Sequence, residues 1–166
     1  MDKFNMGCRF ESYLINTLQG KSEEAAAAKA EMKALMRGAV HSYLEYAIDY
    51  ASAGMYDEAA QLLSFVTEDA EVTYPMVYFA LGYFASKMGK KDEAVALYKK
   101  AETICPDYCF PNKIEEVLML NDAMKLNPEG AKAPYYLGNF HYAARIYDEA
   151  VACWEKSVSI DDTYPT

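Results

Sequence analysis

Positive charge is scarce in this chain. Sixteen Lys and Arg stand against twenty-five Asp and Glu in 166 residues, a formal net charge of −9. Such a field repels a phosphate backbone, so no nucleic acid is expected as a partner, and it disfavours an anionic membrane surface in the same way. Histidine is scarcer still, with His41 and His141 alone and no H-E-x-x-H. The four cysteines, Cys8, Cys105, Cys109 and Cys153, form no C-x-x-C pair, and only Cys105 and Cys109 lie close in sequence. That spacing predicts no zinc site, no cofactor and no disulfide, but reduced thiols in a reducing compartment. Lys90 follows Gly89, yet the preceding Gly82 is seven positions back, not at the spacing of a phosphate loop. No basic segment leads into an apolar run at the N-terminus, so no signal peptide is expected. No apolar stretch nears the roughly 20 residues of a membrane span. These absences predict a cytoplasmic chain with neither the nucleophile constellation nor the metal cluster of an enzyme.

What is present is apolar and aromatic. Apolar residues make up 52% of the chain and aromatics 14%, enough for one globular domain with a sizeable core. Fifteen Tyr accompany a single Trp. Tyrosine has an apolar body and a polar tip, which suits half-buried surfaces.

The tripeptide Asp-Glu-Ala recurs at Asp57, Asp92 and Asp148, each time after a helix-like segment and a short break. The first interval is 35 positions and the second 56, one repeat of about 34 plus roughly 22 more. The middle copy reads Tyr78-x-x-Leu81-Gly82, Gly89, Ala94-x-x-x-Tyr98, Ala101 and Pro106. Gly82 permits one helix to approach the next. Gly89 suits a left-handed helix end. Ala94 and Ala101 are small where two helices cross, Tyr98 fills the space between them, and Pro106 stops the second helix. The last copy reads Tyr135-Tyr136-Leu137-Gly138, Ala150-x-x-x-Trp154 and Ser157, and the first Tyr43-x-x-Tyr46-Ala47-x-x-Tyr50, Gly54, Ala59-x-x-x-Leu63.

Three copies in one register, covering about Val40 to Thr163, resemble the tetratricopeptide repeat (TPR) family. The resemblance implies an all-α fold, an α-solenoid of antiparallel helix pairs with about nine helices in a right-handed superhelix. A single domain over 1–166 is expected to comprise an N-terminal helical hairpin (1–38), repeat 1 (40–73), repeat 2 (75–108), a degenerate half repeat (109–130) and repeat 3 (131–164). In the hairpin, Phe4 to Leu18 has near-helical apolar spacing, Ser22 is placed to cap the second helix, Glu23 and Glu24 suit its first turn, and Gly38 ends it. In the half repeat, Ile114, Val117, Leu118, Leu120 and Met124 predict one amphipathic helix ending at Pro128 and Gly130, with the first helix reduced to a turn near Asp107 to Phe110. Glu115 and Glu116 are expected on a solvated face, and His141 as a packed, hydrogen-bonded core residue.

A closer resemblance rests on Asp2-x-x-Asn5, Phe110-Pro111-Asn112-Lys113-Ile114-Glu115-Glu116, Tyr135-Tyr136-Leu137-Gly138 and Trp154. These are similar to the C-terminal TPR segment of large bacterial proteins that carry a mutarotase-like β-sandwich domain of unknown function. This implies a setting near carbohydrate metabolism and assigns no activity to the chain.

The first helices of successive TPR repeats line a concave face. Projected onto this sequence, that face carries His41, Leu44, Glu45 and Ile48 from the first repeat, Met76, Phe79, Tyr83 and Lys87 from the second, and Lys132, Tyr135, Asn139 and Tyr142 from the third. Aromatic and apolar groups with a few polar tips are the composition of peptide and protein contact surfaces. The expected role is a non-catalytic interaction module for a protein or peptide, and the alternative is a structural spacer packing on its parent protein's own domain or on a second copy. Some TPR domains clamp a C-terminal carboxylate with Lys, Asn and Arg; here Leu44, Ile48, Ala80 and Tyr136 occupy most of those positions and only Lys132 agrees, which argues against that use. The final helix runs through Val151, Trp154, Val158 and Ile160 with no capping helix after it. Val151 and Val158 are therefore expected on a face that a following helix of a longer solenoid, or self-association with a second copy, would cover.

Overall fold

A computed structural model describes residues 5–68, 74–105 and 107–163. Among them are nine α-helices and no strand. The fold is all-α. The chain divides into two compact units, Met1–Val72 and Thr73–Thr166. The predicted positions at Asp2, Phe4 and Pro106 lie outside the described residues.

The first unit contains two helical hairpins, α1 (Met6–Leu18) with α2 (Ser22–Met36) and α3 (Val40–Ser52) with α4 (Tyr56–Thr67). Helix α1 starts at Met6 because the Asn5 side chain accepts a hydrogen bond from the Cys8 amide at 3.0 Å, satisfying a donor that the helix itself leaves open. Ser22 does not cap α2 as expected. It is the first helical residue, and Lys21 holds the cap position with no side-chain bond. The helix still starts there because Glu23 and Glu24 complement the dipole of its first turn. It ends where Arg37 and Gly38 both turn left-handed, at φ 51° and 67°.

An aromatic cluster joins the two hairpins. Phe10 of α1 is buried, edge-on to Tyr50 of α3 at 5.1 Å and to Phe65 of α4 at 5.8 Å, while Tyr13 meets Phe65 edge-on at 4.9 Å. Such geometry aligns ring edges with ring faces and stabilises beyond area alone. Lys29 of α2 lies 4.5 Å from the Phe65 ring centre and pairs with Glu68 at 2.5 Å, so its stem and head both hold α2 against α4.

The second unit contains α5 (Met76–Lys87) with α6 (Lys91–Glu102), then the single helix α7 (Ile114–Leu126), then α8 (Lys132–Ala143) with α9 (Tyr147–Ile160). Helix α7 packs against both α5 and α8. Gly89 takes φ 80° at the α5–α6 turn, the left-handed helix end its position predicts. A Cβ built on Gly82 would stand 2.4 Å from the Tyr98 ring, and one on Gly138 would stand 2.4 Å from the Trp154 ring. Sixteen positions separate the members of each pair (82 to 98, 138 to 154), so the two hairpins use one packing device. Ala94 and Ala101 are fully buried between the helices.

Helix α7 packs in a phase different from that expected. Glu116, Met119, Leu120 and Ala123 form its buried stripe, at i, i+3, i+4 and i+7. Ile114 and Leu118, expected to face the core, lie on the opposite side and are 72% and 52% exposed. Glu116 is accordingly buried and does not sit on a solvated face. Its carboxylate accepts hydrogen bonds from the amides of Asn112 and Lys113 at 2.7 and 2.9 Å, closing the helix N-terminus from the third position. With that polar group satisfied, its burial costs little.

The close approach at the glycines predicts a stability series. Gly82→Ala and Gly138→Ala should each lower stability by about 1–3 kcal/mol, since the opposing rings must move. Gly7→Ala, where the nearest atom is 3.5 Å away in ordinary contact, should leave stability unchanged or raise it by about 0.5–1 kcal/mol through helix propensity. Urea unfolding of the three variants checks the order.

Candidate functional site

The twelve residues projected onto a contact face divide by burial. Helix α3 exposes His41 and Glu45 and buries Leu44 and Ile48. Helix α5 buries Met76 and Phe79, leaves Tyr83 half-buried and exposes Lys87. Helix α8 buries Lys132, leaves Tyr135 and Asn139 half-buried and exposes Tyr142.

The buried members pack. Phe79 stands 6.1 Å from the ring of Tyr98 and 6.1 Å, edge-on, from that of Tyr136, inside the second unit. Tyr98 reaches on to α7, its hydroxyl donating to the Asp122 carboxylate at 2.7 Å. Burial and the neighbouring Asp122 push the Tyr98 phenol upward, so it stays a neutral donor.

Lys132 takes part in an exchange of caps. Its ammonium donates to the carbonyls of Glu102 and Ile104 at the end of α6. In return the Glu102 carboxylate accepts from the Lys132 backbone amide at 3.0 Å, at the start of α8. A cation thus sits at one helix C-terminus and an anion at the other's N-terminus, each matching the local dipole and the backbone groups left open there. Gly130 makes room, since a Cβ on it would meet a Glu102 carboxylate oxygen at 2.7 Å. Burial pushes Glu102 up and Lys132 down, the opposite of what their mutual attraction favours, so desolvation outweighs the pairing at both ends. Ser157 of α9 completes the joint, its hydroxyl donating to the Ala131 carbonyl at 2.8 Å.

The exposed members of the second unit form two groups. In α5, the Lys87 ammonium stands 5.0 Å from the centre of the Tyr83 ring, a cation–π pair on the surface. At the α8–α9 turn, Tyr142 lies 5.4 Å from Tyr147 and 5.6 Å from Trp154. The Trp154 indole donates to the Asn139 side chain at 3.2 Å, so Asn139 is engaged within its own hairpin. His141 packs edge-on to Phe140 at 6.0 Å, but its buried Nδ1 has no hydrogen-bond partner among the described residues, which differs from the satisfied histidine expected.

Exposed apolar groups outside the projected face lie in the turn before α7, on α7 and on α9, where Val151 and Val158 were expected on an uncovered face. Tyr108 is 89% exposed on a left-handed turn, and Phe110, Ile114 and Leu118 follow it to the surface. Tyr147 precedes the exposed Val151 and Val158 on α9. The spacing of Ile114 and Leu118 at i and i+4 was the available signal, since it defines a stripe separate from Met119, Leu120 and Ala123. Among the described residues no group of three or more His, Cys, Asp or Glu could hold a metal, and no helix is long and apolar enough to cross a membrane.

The four cysteines are free thiols. Burial pushes Cys109 up to about 12, with Tyr74 and Tyr136 as its hydrogen-bonding neighbours. Cys8 and Cys105 are exposed. In the folded protein near neutral pH, Cys8 and Cys105 should react promptly with an aromatic disulfide reagent and Cys109 only after denaturant is added, as peptide mapping of the labelled sites would read.

The raised Glu102 carboxyl gives a pH dependence. A folded state that holds this proton more tightly than the unfolded chain gains most below the ordinary carboxyl range, and that gain is lost as pH rises through the raised value. Glu102→Gln removes the titration. The melting temperature of the variant minus that of the parent should therefore increase as pH is taken from about 4 to about 7, whatever the offset at the lower end.

Residues 77–108 match the tetratricopeptide repeat family. Among solved structures, a MamA mutant is 19% identical, with 95% of this chain and 98% of that chain covered and a TM-score of 0.46. MamA 41-end from Desulfovibrio magneticus RS-1 is 16% identical over 100% of this chain and 99% of its own, with a TM-score of 0.36. YrrB, described as a TPR protein with an unusual peptide-binding site, is 16% identical over 97% and 89%, with a TM-score of 0.39. Scores below 0.5 leave these as distant likenesses. Residues 77–108, which contain Gly82 and Tyr98, are thus a tetratricopeptide repeat, and the same close approach recurs at Gly138 and Trp154.

Proposed function

We propose that the chain is a non-catalytic module that binds a protein or peptide through side chains that its repeat helices leave at the surface. The observation that carries this reading is the Tyr83–Lys87 pair, a tyrosine ring with an ammonium 5.0 Å from its centre on a repeat helix of the matched segment. Tyrosine offers contact area with little rotamer entropy to lose, and a cation beside it adds a directional partner for a carboxylate or a carbonyl. In the second unit Tyr135, Asn139 and Tyr142 of α8 extend the contact set. In the first, His41 and Glu45 of α3 form a separate one. Leu44, Ile48, Met76, Phe79 and Lys132 support these positions from within and make no contact with the ligand. Four free thiols, two of them exposed, support a reducing, cytoplasmic setting.

A second reading is a spacer that packs on a larger parent protein and holds no separate ligand. The burial of five of the twelve projected residues favours it, because a face already filled by its own chain offers less to a partner.

One double variant separates the two. Tyr83→Ala with Lys87→Glu should reduce capture of the protein's partners from its source lysate at least about tenfold, a loss of roughly 1.4 kcal/mol, while the far-UV spectrum and melting temperature stay near the parent's. Equal capture by the variant would leave the spacer reading. Phe79→Ala cannot serve, since truncating a fully buried ring costs about 3–5 kcal/mol of fold stability.

A further inference from the structure

Helix α9 carries an apolar stripe along its length. Tyr147, Val151, Trp154 and Val158 fall at i, i+4, i+7 and i+11, within about 60° of one another around the helix. Tyr147, Val151 and Val158 are 52%, 49% and 36% exposed. A hollow of about 460 Å³ lies on this face, lined by Val151, Trp154, Glu155, Val158 and Ser159. Trp154 serves both sides, its ring packing on Gly138 of α8, but Tyr147, Val151 and Val158 are not the helix's attachment to its own hairpin, since Ala150 and Ser157 are the residues that bury there. Over eleven positions it runs about 17 Å, three turns, the reach of one docked helix.

Charge along the margin selects the occupant. Asp148 and Glu155, seven positions apart and both exposed, flank the stripe on its solvent side, and Glu155 lines the hollow itself. Lys156 projects from the far side of the helix, and Arg145 stands before α9 begins. We propose that the α9 face docks an amphipathic helix of a partner protein that carries apolar residues toward the stripe and lysine or arginine along one flank. This surface differs from the Tyr83–Lys87 pair and meets the wider contact set at Tyr142, whose ring lies 5.4 Å from Tyr147. A second copy of the chain is disfavoured by the same charges. A two-fold axis across antiparallel α9 helices would bring both Asp148–Glu155 margins to the same side of the interface, where like charges oppose, and each chain carries a net −9.

Trp154 is the only tryptophan and lines the hollow, so its emission reports occupancy without a label. The probes are two synthetic helical peptides with leucine at i, i+3, i+4 and i+7, one with lysine along a single flank and one with glutamate there. The lysine peptide should give a saturable blue shift of Trp154 emission that weakens with added salt, and it should bind at least about tenfold more tightly than the glutamate peptide. Asp148→Lys with Glu155→Lys, both surface changes, should invert that preference while leaving the far-UV spectrum unchanged. Equal shifts from both peptides, or no shift from either, would overturn the proposal. A peptide-free shift that grows with protein concentration alongside dimer mass in light scattering would overturn it too, in favour of a second copy.

Discussion

Two helices can lie close only where one of them gives up a side chain, and that requirement governs the hairpins of the second unit. Gly82 yields to Tyr98 and Gly138 to Trp154, with no space left for even a methyl group. The ring that enters is then held from beyond its own hairpin or within it. Tyr98 bonds to Asp122 of α7, whereas Trp154 bonds to Asn139 of its partner helix. In the first unit the same sixteen-residue offset links Ala47 to Leu63, both fully buried.

The inserted helix α7 poses a second problem, which the Glu102–Lys132 exchange answers. Between α6 and α8 the chain makes an excursion of some thirty positions, and yet the end of one helix and the start of the other are joined by three hydrogen bonds. The joint is specific more than it is stabilising. Each charged group is pushed toward its neutral form by burial, so a good part of the attraction is spent against desolvation. What it provides is register. Lys132 reaches the carbonyls of Glu102 and Ile104 while its own amide meets the Glu102 carboxylate, and Gly130 leaves room for the carboxylate to come so near.

Much of the fold is legible in the sequence because it rests on local and periodic signals. Glycine at the close approaches, the left-handed Gly89 and the acidic first turns of α2, α4, α6 and α9 are all visible as residue types at set spacings. The phase of α7 was not legible. Its apolar residues cover more than one face, and periodicity alone cannot tell which stripe is covered when neighbours on two sides compete for it. Glu116 settles the matter by a local capping bond that apolar periodicity does not register: it turns a charged residue inward, and Ile114 and Leu118 go outward with the rotation. Lys132 was hidden for a different, non-local reason. Burial of a lysine depends on carbonyls contributed from another helix, and no window around Lys132 contains them.

The candidate contact face was legible only as a set of positions. A repeat register says which residues of a first helix point away from its partner helix, but not whether another element lies over them. Here α7 packs against both α5 and α8, the two helices of the second unit that carry the projected face. A helix laid between them shelters part of each, and the residues that remain available are those toward the helix ends. Tyr83 and Lys87 close α5, and Tyr142 sits at the last turn of α8. Recognition by such a surface depends on a few aromatic anchors with polar or charged tips, not on broad apolar burial. That suits a chain whose surplus of tyrosine over tryptophan supplies rings able to face water and protein alike.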